Sequence, residues 1–147
     1  MTLEEKIAND LKAAIKAKDT LRTSCLRMLK TANKNRQVEK GDALKDEEIQ
    51  EVISSLIKKG KQAAEEFRKG ERESLAAKEE AEVAVYLEYL PEQATPAEIE
   101  NILEKIIGEL GAESPRDLGK VMKQAMAQMA GKAQGKEVNI IAKRLLG

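Results

Sequence analysis

Two kinds of residue in this chain could react or bind a ligand: a lone cysteine, Cys25, and the lysines around the segment "AGKAQGKEV" at residues 130–138. A thiolate is a nucleophile and a metal ligand, but a reactive thiol needs a base or a cation beside it. The chain contains no histidine, so a histidine-based triad and the usual zinc and haem ligand sets cannot be assembled. Cys25 stands in an apolar helical stripe, where a thiol is normally a small buried hydrophobe. The sequence therefore predicts no catalytic residue, no metal and no cofactor.

The segment "AGKAQGKEV" resembles a phosphate-binding loop only superficially. Such a loop needs two glycines five residues apart, then Lys and Ser or Thr, after a strand. Here Gly131 and Gly135 are four residues apart, Glu137 stands where the hydroxyl residue belongs, and a helical pattern precedes them. We interpret Gly131 as the left-handed stop of one helix and Gly135 as the start of the next.

The lysines around this turn need a separate explanation. Lys132 and Lys136 flank the turn, and the helix after it presents free backbone N–H groups, which attract anions. Lys120 and Lys123 lie on the preceding helix, opposite its Met-rich stripe, which consists of Leu118, Met122, Ala125, Met126 and Met129. We expect these four lysines to form one basic surface, termed the tail surface, that binds a polyanion. Ordinary solvated charge is the alternative.

A second basic surface is predicted on the helix that begins near Asp19. Arg27, Lys30 and Lys34 recur at helical spacing, and we term them the N-terminal basic surface. They face away from the apolar stripe of the same helix, which contains Leu21, Cys25, Met28, Leu29 and Ala32.

The distribution of charge points to local rather than bulk attraction. The chain has 26 basic and 26 acidic residues, so its net charge is zero. Residues 12–40 hold nine basic and two acidic residues, and residues 118–147 hold six basic residues and one acidic residue. The aromatic residues Phe67, Tyr86 and Tyr89 lie outside both basic blocks. Because single-stranded bases usually stack on aromatic side chains, we expect contact with the phosphate backbone of a folded RNA.

Composition and helix punctuation predict an all-α protein. Hydrophobic residues make up 41% and charged residues 35% of 147 residues, as amphipathic helices require. Thr2 and Thr95 are predicted helix caps, and Ser114 before Pro115 repeats the device. The helix signals become denser after Pro91. We therefore predict a domain of long amphipathic helices at 1–91 and a compact three-helix tail at 92–147.

The N-terminal residues lack the basic and apolar regions of a signal peptide, and no stretch approaches the roughly 18 apolar residues that span a bilayer. One cysteine cannot form an internal disulfide. These features predict a cytoplasmic protein with no membrane partner.

Three segments carry a resemblance to a known family: "RTSCLRMLKTANKN", "YLEYLPEQATPAEIE" and "GAESPRDLGKVMKQAMAQMAGKAQGKEVN". They resemble the YqeY-like proteins, whose C-terminal part is similar to the tail domain of the B subunit of the bacterial tRNA-dependent amidotransferase. The resemblance covers essentially the whole chain and implies a helical domain followed by a three-helix tail. In the amidotransferase, that tail contacts tRNA. One departure is Gln134, which replaces an Asp that is common in the turn.

Three functional hypotheses follow. The first is a small non-catalytic protein that binds tRNA or another structured RNA as a translation accessory, beside amidotransferase subunits. The second is a protein-interaction module that docks a partner helix on the Met-rich stripe or on the segment 86–90. The third is a carbon-nitrogen ligase role that is inherited and exercised only within a complex, since the amidotransferase's ATP and glutamine chemistry lies in other domains and subunits.

Overall fold

The structure is a computed structural model that describes all 147 residues of the chain. It contains seven α-helices, one short 3₁₀ turn at Pro115–Asp117 and no strand, which confirms the all-α prediction. The helices are α1 (Leu3–Lys16), α2 (Thr20–Lys40), α3 (Asp46–Lys69), α4 (Glu73–Leu87), α5 (Pro96–Leu110), α6 (Leu118–Gln128) and α7 (Gly135–Leu146).

The chain forms two compact units, unit 1 at Met1–Leu90 and unit 2 at Pro91–Gly147. Each has its own apolar core. Independent folding of the two units, which the predicted domains at 1–91 and 92–147 require, stays a prediction.

Short-range signals in the sequence set where the helices begin. Thr2 caps α1 by accepting a hydrogen bond from the Glu5 N–H at 3.2 Å, and Thr95 caps α5 in the same way. Both predicted caps are confirmed. Ser114 occupies the predicted cap position before Pro115, at the start of the 3₁₀ turn, but its side chain forms no cap bond; the Asp117 carboxylate accepts from the N–H groups of residues 113 and 114 at 3.0 and 3.4 Å.

Unit 1 is built around an antiparallel pair, α3 and α4, joined by the short connection at 70–72. Gly60 lies within α3 and faces α4 so closely that a Cβ atom added there would be 2.6 Å from Cγ2 of the buried Val83. The glycine lets the two helices approach without breaking α3, which runs through it. The helices α1 and α2 pack beside this pair, and the core side chains include Ile7, Leu26, Leu29, Ile53, Ile57 and Tyr86.

Met28, which the sequence pattern places in the apolar stripe of α2, lies at the surface. It is 53% exposed, whereas Leu26, outside that stripe, is buried in the same helix. The reason is that α2 contacts α1, α3 and α4, so its buried face is wide and extends to the side of Leu26. Periodicity gives the spacing of a stripe but not which edge its neighbours cover.

Unit 2 is a three-helix arrangement of α5, α6 and α7. Ala125 and Met129 of the Met-rich stripe are buried in its core beside Val121, while Met122 and Met126 are half-buried against it. None of the helices in either unit has the length and apolar character needed to cross a membrane.

Candidate anion-binding surfaces

The turn between α6 and α7, at Met129–Gln134, is the centre of the tail surface. Gly131 adopts a φ of 75°, in the left-handed region that glycine enters without steric cost. Gly135 is the first residue of α7. Gly131 thus lies in the turn after α6, which ends at Gln128, and Gly135 lies at the boundary of α7.

The lysines of the tail surface all lie at the exterior of unit 2. Lys120 and Lys123 are exposed on α6, Lys132 is exposed in the turn, and Lys136 is exposed in the first turn of α7. Lys120, Lys123 and Lys132 form no ion pair. Their charge is therefore not neutralised by a carboxylate of the chain.

The N-terminal basic surface lies on the outer face of α2. Arg27, Lys30 and Lys34 are exposed there and form no ion pair. Other basic residues of the same helix are neutralised by carboxylates: Arg36 lies 3.4 Å from Glu51. The cations of α2 thus divide into a paired set toward its neighbours and an unpaired set toward solvent.

The N-terminus of α7 has no side-chain cap. Gln134 occupies the cap position with an extended backbone, but its side chain accepts no hydrogen bond from the helix. Its Nε2 atom is buried without a hydrogen-bond partner. Because a glutamine is too long to cap in the way Asp or Asn does, no side chain at the cap position occupies the amides of the first turn of α7, although the carboxylate of Glu137 lies in the same turn.

Cys25 is buried, with 2% of its surface exposed, and burial raises the pKa of its thiol to about 11, assisted by the charge of Glu82. The Tyr86 hydroxyl donates to the backbone carbonyl of Cys25 at 3.2 Å, and its effect on the thiol, which lowers the pKa, is smaller than the effect of burial. Because the thiol stays protonated at neutral pH, this environment does not favour a nucleophile.

A polar cluster near the end of unit 1 was not predicted from the sequence. The Tyr89 hydroxyl donates to Oδ2 of Asp10 at 2.6 Å, and Lys6 lies 2.9 Å from the same oxygen and 4.8 Å from the centroid of the Tyr89 ring. Burial acts to raise the pKa of Asp10, but the hydrogen bonds from Tyr89 and Lys6 outweigh it and the pKa is lowered. No sequence pattern signals this cluster, because Tyr89 and Asp10 are 79 positions apart.

The sequence matches the profile of the family described as Yqey-like protein over residues 4–146. This match includes both units and both basic surfaces. The chain belongs to the YqeY-like family. The resemblance identified from the three sequence segments is therefore confirmed at the level of the family.

Similar proteins are found among fungi. The chain is 35% identical over 108 residues, 71% of its length, to the protein named altered inheritance of mitochondria protein 41, mitochondrial, of Vanderwaltozyma polyspora. It is 33% identical over 117 residues, 76% of its length, to the protein of the same name in Lachancea thermotolerans. The protein of that name in Saccharomyces cerevisiae is 27% identical over 142 residues, 96% of this chain.

The aligned region covers only part of these relatives: 58% of the Vanderwaltozyma protein, 63% of the Lachancea protein and 66% of the Saccharomyces protein. Their names place them in mitochondria. The compartment of the present YqeY-like chain, expected from its sequence to be the cytoplasm, stays a prediction.

Proposed function

We propose that this YqeY-like protein is a non-catalytic accessory protein that binds tRNA or another structured RNA through the tail surface. The observation that carries the proposal is the set of exposed cations without an ion pair, Lys120, Lys123 and Lys132, on one helix and the turn that follows it. A link to translation and to amidotransferase subunits rests on the resemblance of the tail to the amidotransferase B subunit.

The binding chemistry of such a surface is electrostatic. Each lysine that contacts a phosphate releases condensed counterions, so affinity falls as salt rises and depends little on base sequence. Lysine acts as a point charge, without the planar fork that arginine offers to a single phosphate. The tail surface is therefore suited to following a backbone rather than reading bases, and the N-terminal basic surface on α2 is suited to the same task.

The proposal is tested by titrating the full chain with bulk tRNA across a salt series. We expect salt-dependent binding, and the triple variant Lys120→Ala, Lys123→Ala, Lys132→Ala should reduce the salt slope by about one unit per lost contact. A second triple variant, Arg27→Ala, Lys30→Ala, Lys34→Ala, measures how much the N-terminal basic surface contributes to the salt slope of tRNA binding.

The matched control removes the same number of charges from α3, at Lys58, Lys59 and Lys69, which are exposed outside both surfaces. It should retain the wild-type slope. If the wild type shows no salt-dependent binding, or if the control loses as much slope as the tail variant, the proposal is wrong.

The partner-helix alternative has less apolar surface available to it. Met129 is buried, and Met122 and Met126 are half-buried against the core of unit 2. Tyr86 and Tyr89 at the end of unit 1 are buried as well. If tRNA does not bind, a pull-down with the full chain as bait becomes the direct test of this alternative.

A further inference from the structure

The segment before α5 contacts the turn that carries Lys132. The side-chain amide of Gln93 donates from Nε2 to the carbonyl oxygens of Pro91 at 2.9 Å and Gly131 at 2.7 Å. The next residue, Ala94, donates its N–H to the carbonyl oxygen of Lys132 at 2.8 Å. Both carbonyls at the centre of the turn are thus held from the same segment, although it lies 38 positions away in sequence.

These bonds fix the main chain of Lys132 at both of its polar groups. Its N–H donates to the carbonyl oxygen of Met129 at 2.8 Å, while its own carbonyl accepts from Ala94. The neighbouring side chains of Met129 and Ala133 are buried, at 1% and 6% exposed. The side chain of Lys132, in contrast to its main chain, extends into solvent, where it is exposed and forms no ion pair.

We infer that Gln93 is a positioning residue for the contact between Lys132 and an RNA phosphate. This inference rests on the proposed function. A charged group whose backbone is already ordered loses less conformational freedom on binding than one on a mobile loop. Gln93 adds to the order that the bonds of Ala94 and Met129 give to Lys132, because its amide holds the carbonyl of Gly131 in the left-handed turn immediately before Lys132. Gln93 itself needs no contact with RNA.

A double-mutant cycle in the full chain tests this inference. Gln93→Met keeps the length of the side chain and removes its donors. We expect it to weaken tRNA binding about two- to tenfold, the range for the loss of a single hydrogen bond. In the Lys132→Ala background the same change should have little effect, because the residue through which Gln93 acts is missing.

A second cycle with Lys120 distinguishes positioning from a general loss of structure. Lys120 lies on α6, outside the turn, so Gln93→Met should weaken binding in the Lys120→Ala background as much as in the wild type. Equal losses in the Lys132→Ala and wild-type backgrounds would overturn the inference and leave the proposed function intact. No salt-dependent binding by the wild type would overturn both. If Gln93→Met loses helix content in circular dichroism, Gln93→Ser replaces it in both cycles, with the same expected and contradicting results.

Discussion

At the scale of single residues, the choice of residue at the cap position of α7 affects both the stability of unit 2 and the charge near the tail surface. Gln134 has the extended backbone that a cap requires, yet forms no cap bond and leaves Nε2 buried without a partner. Asp and Asn have side chains of the length that accepts from the first amides of a helix. A glutamine at this position therefore leaves the cap bond unmade and adds no negative charge of its own beside Lys132, although Glu137 lies in the first turn of α7.

Substitution at Gln134 is expected to separate these two effects. Gln134→Asp and Gln134→Asn should each stabilise unit 2 by about 1 kcal/mol, because each supplies a cap and removes a buried unpaired amide. Gln134→Asp alone should weaken tRNA binding, since it places a negative charge beside the tail surface. Chemical denaturation and the salt-series titration measure the two quantities. Equal RNA affinity of the Asp and Asn variants would contradict the electrostatic part.

Because of the hydrogen bond between Tyr89 and Asp10, we expect the free energy of unfolding to depend on pH in the acidic range. The pKa of Asp10 is lower in the folded chain, so its contribution is complete above the ordinary Asp pKa of about 3.9 and is lost as the pH falls through the folded value. Tyr89→Phe should therefore lower the free energy of unfolding at neutral pH and have a shrinking effect below about pH 4. Urea denaturation at a series of pH values measures this difference.

Tyr86→Phe is the matched control for Tyr89→Phe. The Tyr86 hydroxyl donates to the backbone carbonyl of Cys25, which does not titrate. Its loss should lower stability by the same amount at neutral and acidic pH. If the effect of Tyr89→Phe on stability is also independent of pH, the Asp10 carboxylate is not responsible for the contribution of the Tyr89 hydroxyl.

At the scale of elements, the close approach of α3 and α4 depends on a glycine inside a helix. Replacing an interior helical glycine by alanine normally stabilises a protein by about 0.5–1 kcal/mol. At Gly60 the added Cβ would lie 2.6 Å from Val83 Cγ2, and overpacking of this kind typically costs about 1–3 kcal/mol. We therefore expect Gly60→Ala to destabilise unit 1.

Gly108 in α5 gives the comparison, because a Cβ added there meets nothing within 4 Å. Gly108→Ala should show the ordinary stabilisation. Combining Gly60→Ala with Val83→Ala removes the obstructing methyl, so the penalty of the first change should largely disappear in the Val83→Ala background. Thermal and urea denaturation measure all four variants. Stabilisation by Gly60→Ala in the wild-type background would refute the steric explanation.

The elements themselves were largely predictable, and their contacts were not. Thr2, Thr95 and Gly131 act on backbone groups a few residues away, so their roles are visible in the local sequence. Met28 was placed in the buried stripe of α2 but is exposed, and the buried Leu26 was not identified, because the width of a buried face depends on helices far along the chain. Gln93 was missed for the same reason, since a glutamine in a linker has no pattern that names its acceptor.

At the scale of the whole molecule, the predicted boundary between the two units can be tested by proteolysis at a specific site. Gln93 and Ala94 are hydrogen bonded to the turn of unit 2, whereas Glu92 just before them is exposed. A glutamate-specific protease should therefore cut after Glu92 and release a stable fragment that begins at Gln93. Mass spectrometry identifies the fragment. Rapid cleavage after Glu104, within α5, would contradict a tail that folds by itself.

The placement of the aromatic residues offers an optical test of the same boundary in the uncut chain. Phe67, Tyr86 and Tyr89 all lie in unit 1, and residues 91–147 contain no aromatic side chain. Tyrosine fluorescence therefore reports only the unfolding of unit 1, whereas far-ultraviolet circular dichroism reports the helices of both units. Two units that unfold independently and differ in stability will give transitions that do not coincide, and the circular-dichroism change outside the fluorescence transition is then the unfolding of the spectroscopically silent tail.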